Sequence, residues 1–142
     1  MEISDVRKRV LETIERSKRA AAERRTRVDE AAREYELFLD RTAVPIFRHV
    51  ASALRPEKYS FTLFTPSGSV RLMSDRSTKD FIEIVLDTSG PDPRVVGHAS
   101  RGRGSRVLES ETALGSGGSV RDITEEDVLE FVLKELVPFV ER

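Results

Sequence analysis

Ser4 to Ala43 reads SDVRKRVLETIERSKRAAAERRTRVDEAAREYELFLDRTA, forty residues without Gly or Pro and dense in Ala, Glu and Arg. Such a run predicts one helix of roughly 60 Å at about 1.5 Å per residue. A compact chain of 142 residues has a radius of gyration of only about 14 Å, so part of this helix must project and find a partner. Ser4 is the expected N-cap, with Asp5 complementing the positive end of the helix.

A heptad read from Ile14 takes Arg7, Ile14, Ala21, Val28 and Tyr35 at one seam position. Val10, Ser17, Arg24, Ala31 and Phe38 fill the other. The spacing is that of a coiled coil, although its content is weak. From Val28 onward the stripe Val28, Ala31, Ala32, Tyr35, Phe38, Leu39 is broad, as in a helix packed on its own core. Before it the stripe thins to Val6, Val10, Leu11, Ile14 and small alanines, which suits a narrow helix-on-helix contact. Residues 1–27 are therefore expected to project for assembly, and residues 28–142 to form one α+β body. Val6, Val10, Ile14 and Ala21 are the expected dimer contacts.

Pro45 predicts a kink or restart near Thr42, because its ring pushes against the carbonyl of Arg41 and it has no N–H to give. Ile46 to Leu54 keeps the helical period up to Arg55-Pro56. The period then changes to two. Tyr59, Phe61 and Leu63 alternate with Ser60 and Thr62, and Pro66-Ser67-Gly68 turns the chain into a strand over Ser69 to Met73. Asp80 to Asp87 is the strongest strand, with Ile82, Ile84 and Leu86 on one side and Phe81 and Val85 on the other, a pattern that predicts a central strand covered on both faces. Arg94 to Arg101 and Ser105 to Thr112 follow as a hairpin around Gly102-Arg103-Gly104, the last strand polar enough for an edge. Gly115 to Ser119 reads as a flexible joint. Thr124 caps a final helix whose stripe is Val128, Leu129, Val132, Leu133, Leu136, Val137 and Val140. The expected fold is α+β: a long N-terminal helix kinked near Pro45, an antiparallel meander of about five strands, and a C-terminal helix on the sheet.

Composition removes several functions. With no Cys there is no disulfide scaffold, no thiolate nucleophile and no Cys-ligated zinc. No apolar run approaches the 18 or so residues of a membrane span, so no membrane insertion is expected. The opening residues lack the pattern of a secretory signal, and a cytoplasmic location is the expectation. The 24 basic and 25 acidic side chains nearly cancel, so net charge does not select nucleic acid as a partner.

Three local features carry chemistry. His98, on the fourth strand, stands where neighbouring strands can bring Glu83 or Glu109 beside it, a pairing suited to a general base. A third catalytic group is not evident, and His49, beside Arg48 on a helix, reads as structural. Arg94, Arg101, Arg103 and Arg106 give a segment of net +4 whose guanidinium groups can fork onto phosphate, with His98 as a fifth candidate ligand contact. That segment carries no aromatic for base stacking, and a solvated hairpin tip is the plainer reading. Arg16, Lys18, Arg19, Arg24, Arg25 and Arg27, with Glu23, give the long helix a basic run of net +5, in which Arg16, Arg19, Arg24 and Arg27 are the candidate contacts for a polyanion. The chain from Glu109 to its end has a net charge of −6 and offers an internal match.

No nucleophile elbow, phosphate-binding loop or paired-His helix motif occurs, so no catalytic residue, metal ligand or cofactor is assigned. The expected function is a non-enzymatic homodimeric binding or adaptor module with a protein partner. Nucleic-acid or phosphate binding through the Arg-rich hairpin and basic helix face is the second reading, and a hydrolase-like enzyme using His98 the third.

Overall fold

A computed structural model of the chain describes residues 1–116 and 118–141. The first helix, α1, runs Ile3–Phe38 over 36 residues, about 54 Å. It starts one residue before Ser4: Glu2 holds the cap position without a side-chain cap bond, so the expected Ser4 cap is not used. Every residue from Met1 to Arg27 is exposed, and burial begins at Val28. Acids four residues ahead of bases (Asp5 to Arg9, Glu12 to Arg16, Glu15 to Arg19, Glu23 to Arg27) favour helix along this solvated half, each pair by about 0.2–0.5 kcal/mol.

A π-helical turn, Leu39–Ala43, joins α1 to α2, Val44–Leu54. The Val44 N–H reaches back five residues to the Leu39 carbonyl, and Pro45 enters at the first turn of α2. The widened turn accommodates a proline that has no N–H to give and would crowd the Arg41 carbonyl in a regular helix. The expected restart is thus a change of helical pitch, and the same region buries Tyr35, Phe38, Leu39, Ala43 and Phe47.

Five strands follow: β1 Phe61–Phe64, β2 Ser69–Ser74, β3 Phe81–Asp87, β4 Arg94–Arg103 and β5 Arg106–Ala113. They form one antiparallel sheet in sequence order, with β5 at an edge as expected. Tyr59 stays outside β1. The β4–β5 turn falls on Gly104-Ser105, one step later than the Gly102-Arg103-Gly104 reading, with Gly104 at φ +63°. A 3-10 turn, Val120–Asp122, leads to α3, Glu125–Val140. Thr124 and Asp127 cap each other: the Asp127 N–H donates to Thr124 Oγ1 at 3.1 Å and the Thr124 N–H to Asp127 Oδ2 at 2.9 Å.

The expected flexible joint is tied down at its last residue. Ser119 caps the 3-10 turn and donates to Glu34 Oε2 at 3.1 Å, and Arg121 pairs with Glu34 at 3.2 Å. Gly117, in the same stretch, lies outside the described residues.

Helices α2 and α3 lie on one face of the sheet. Phe47, Val70, Leu72, Ile82, Ile84, Val128 and Val132 are fully enclosed there, and Phe61 meets Phe139 edge-on at 5.7 Å between ring centres. Gly97 admits the Phe131 ring, since a Cβ on it would fall 2.4 Å from two ring carbons. The stripe of α3 is rotated from its expected position. Phe131 and Phe139 are buried with Val128, Val132 and Leu136, whereas Leu133, Val137 and Val140 are 52%, 46% and 40% exposed. An apolar count along one helix cannot choose between two adjacent apolar stripes; the Gly97 slot chooses the one that carries Phe131.

β3 is central as expected, and its two faces are covered unequally, with the helices on one and half-buried Phe81 and Val85 on the other. Its alternate residues Phe81, Glu83 and Val85 point to a second face where Phe64 is 42% exposed and where the candidate site lies. No helix of the described residues is long and apolar enough to cross a membrane.

Candidate functional site

In an antiparallel sheet, residues directly opposite one another share a face. The register pairs Phe64 with Arg71, Arg71 with Glu83, Glu83 with His98, and His98 with Glu111. One row thus crosses all five strands on the face opposite α2 and α3. The next row runs Thr62, Met73, Phe81, Ser100, Glu109.

Glu83 is the hub. It is only 8% exposed, and a carboxylate so enclosed needs partners to stay charged. Arg71 gives it two, Nε at 2.9 Å and Nη2 at 2.7 Å, both donating to Oε2. The other oxygen, Oε1, faces His98 Nδ1 at 3.1 Å and accepts from it when that nitrogen carries the proton. His98 Nε2 then looks outward, 3.8 Å from Glu109 Oε1, a distance for charge attraction but not for a hydrogen bond. Phe81 braces both side chains. The Arg71 guanidinium carbon stands 4.1 Å above its ring, in cation–π range, and the imidazole meets it edge-on at 5.6 Å. A half-buried Arg, a buried Glu and a His are therefore held in fixed orientation on an otherwise accessible surface.

The pairing foreseen for His98, with Glu83 and Glu109 beside it, is present. A carboxylate on Nδ1 with Nε2 facing outward is how a general base is oriented. Among the described residues, however, no Ser or Thr hydroxyl is bonded to Nε2, and no group of three His, Asp or Glu residues is placed to hold a metal ion. Ser100, two residues after His98, is buried and donates to the Lys79 carbonyl at 2.8 Å.

The other expected contacts scatter. Arg94 sits at the opposite end of β4 from Arg103 and pairs with Asp87 at 3.3 Å, so the four arginines do not form one cluster. The carboxyl of Asp87 titrates below its usual range, mainly because the Ser89 hydroxyl and then the Ser89 N–H donate to it. Arg101 and Arg103 line a surface hollow of about 290 Å³ with Pro138 and Glu141, and Arg106 stands opposite Arg103 in the hairpin. Arg101 and Arg103 thus stand near the carbonyl end of α3, whose partial negative charge favours cations.

The basic helix face is divided too. Arg24 Nη2 donates to the carbonyls of Thr88 at 2.8 Å and Gly90 at 3.0 Å, and Arg27 pairs with Asp92 at 3.4 Å. Both brace α1 on the β3–β4 loop of its own body, so the internal acid that meets the basic run is Asp92 and not the acidic C-terminal segment. Arg16 turns back toward the Glu12 carbonyl at 3.5 Å, and Arg19 is exposed. Val6, Val10, Ile14 and Ala21 are all exposed on the projecting half of α1.

Arg71, Phe81 and Phe64 were missed by sequence reasoning. The available signal was a charge inside each of two apolar strands, Arg71 in SVRLM and Glu83 in FIEIV, which only a known register turns into a pair. No protein-family model matches the chain, and no curated protein or solved structure matches it.

Proposed function

We propose that this protein is a non-enzymatic homodimeric binding module, acting in the cytoplasm, that holds a basic and apolar protein segment on the open face of its sheet. The observation carrying this reading is the layout of that face. Phe64, Met73 and Phe81 supply an apolar side toward β1, the Arg71–Glu83–His98 row supplies rigid polar groups in the middle, and exposed Glu109 and Glu111 supply an acidic side at β5. Aromatic anchors beside charges held by buried partners are the composition of binding hot spots. Glu109 and Glu111, which pair with no Lys or Arg among the described residues, select a basic partner by charge complementarity. The homodimeric part rests on the exposed apolar stripe of α1.

The test uses a peptide array of basic-apolar 15-residue sequences against acidic-apolar ones, with amide chemical-shift mapping. Binding of the basic set, with shifts along β1 to β5 and at least a tenfold loss in a Glu109→Lys, Glu111→Lys double variant, is expected. Equal binding of both sets, or indifference to the double variant, removes the reading.

A second reading, phosphate or nucleic-acid binding at the β4–β5 tip, draws on the three guanidinium groups gathered there. The carbonyl end of α3 and Glu141 beside them oppose a polyanion. Duplex affinity that falls steeply with salt, and drops with Arg103→Ala, would favour it; a flat salt response would remove it.

A further inference from the structure

Among the described residues two apolar stripes are exposed along most of their length, and they match each other. On α1 the exposed residues Ile3, Val6, Val10 and Ile14 follow steps of three, four and four. On α3 Leu129, half-buried against the core, and the exposed Leu133, Val137 and Val140 follow steps of four, four and three. Each stripe is about 17 Å long, and one is the other reversed. Antiparallel, Ile14 meets Leu129, Val10 meets Leu133, Val6 meets Val137 and Ile3 meets Val140.

The flanking charges also match. At 100° per residue, Arg7 and Lys18 border the α1 stripe on one side and Arg9 on the other, while Asp5, Glu12, Glu15 and Arg16 point away. The α3 stripe is bordered by Glu130, Glu141 and Lys134 on one side and by Glu125 on the other, with Glu126 in line with it. Pairing α1 with another α1 would set basic flanks against basic flanks, whereas α1 against α3 sets basic against acidic.

An α1 cannot reach the α3 of its own chain without breaking. It is continuous from Ile3 to Phe38 without Gly or Pro, and it is fixed to its body by Tyr35, whose hydroxyl donates to the Gly68 carbonyl at 2.8 Å, and by the Arg24 and Arg27 contacts. We infer that the projecting half of α1 docks antiparallel on the outer stripe of α3 in a second copy of the chain, the two copies exchanging helices about a two-fold axis. The inference rests on the homodimeric part of the reading above and replaces its α1-to-α1 contact. Reciprocal exchange closes the assembly, as a two-fold interface requires.

The chain has no Cys, so single cysteines report contacts cleanly. A Val10→Cys copy mixed with a Leu133→Cys copy and oxidised should give the mixed disulfide, and Val10→Cys alone should give little self-linked product. Both sites are exposed, so folding is not at risk. In sedimentation equilibrium, Glu126→Lys with Glu130→Lys should weaken the dimer at least tenfold, and adding Arg7→Glu with Lys18→Glu should restore it. A dimer that links Val10→Cys to itself, or in which the charge exchange fails to restore affinity, overturns the inference and leaves the homodimer standing. A chain that stays monomeric at high concentration overturns both.

Discussion

Glu83 Oε1 faces His98 Nδ1 at 3.1 Å while Oε2 accepts from Arg71 Nε and Nη2, so one buried carboxylate orders both side chains on the face opposite the helices. A buried ion that loses its partner is costly, whereas replacing both members by apolar groups is often close to neutral. Arg71 is one-third exposed, which reduces the effect. Arg71→Met alone should destabilise by about 2 kcal/mol and Glu83→Leu alone by a similar amount. The double variant should cost less than either. Urea unfolding of the three proteins measures this, and a double cost equal to the sum of the singles would show that the pair is not coupled.

The slot at Gly97 sets the rotation of α3. With a Cβ there only 2.4 Å from Phe131 Cε1 and Cζ, Gly97→Ala should cost about 3 kcal/mol, the upper part of the usual range for overpacking. Combining it with Phe131→Leu should cost less than the two changes separately, because the smaller side chain vacates the slot. Additive costs in thermal unfolding would mean that the ring and the glycine do not compete for the same space.

Tyr35 gives stability a dependence on alkaline pH. Burial, and then the nearby charge of Glu83, push its phenol far above the usual 10, so the folded chain keeps a proton that the unfolded chain releases. The folded state binds more protons above pH 10, and stability must fall as pH rises past that point; below it the contribution is fully present. Its hydroxyl donates to Gly68 O at 2.8 Å and Ile84 O at 3.2 Å, so Tyr35→Phe should cost about 1–2 kcal/mol at neutral pH. The same variant should flatten the decline above pH 10. An unchanged alkaline slope would assign the decline to other groups.

Lys58 ends the helical segment with φ at +70°, a left-handed conformation in which glycine carries no Cβ penalty. The Tyr59 N–H bonds the Leu54 carbonyl at 3.2 Å across this turn, so the conformation is required. Lys58→Gly should therefore stabilise by about 0.5–1 kcal/mol despite the added freedom of the unfolded chain. A lower midpoint in urea would contradict this account.

Much of the molecule follows from local rules. The uninterrupted run from Ser4, the restart at Pro45, the two-residue alternation of Phe61 to Leu63 and of Phe81 to Leu86, and the Thr124 cap each depend on neighbours within a few residues. Sequence alone therefore determined the element order, the α+β class, the central place of β3 and the edge position of β5. Local rules failed where a choice lay between equivalent surfaces. Leu133 and Phe131 are both apolar neighbours on α3, and only the missing Cβ of Gly97, across the core, decides which one is buried. Arg94 and Arg103 share a short basic segment, yet an extended strand holds them at opposite ends.

The site was half legible. His98 beside Glu83 or Glu109 could be foreseen from adjacent strands, but Arg71 and Phe81 could not, because strand register couples residues far apart in the chain and no local periodicity records it. Sequence determined which residues form helix and strand, since backbone dihedrals and turn chemistry act over a few residues. Only the tertiary structure decided which faces are covered and which charges meet, because burial and pairing are properties of surfaces assembled from distant segments.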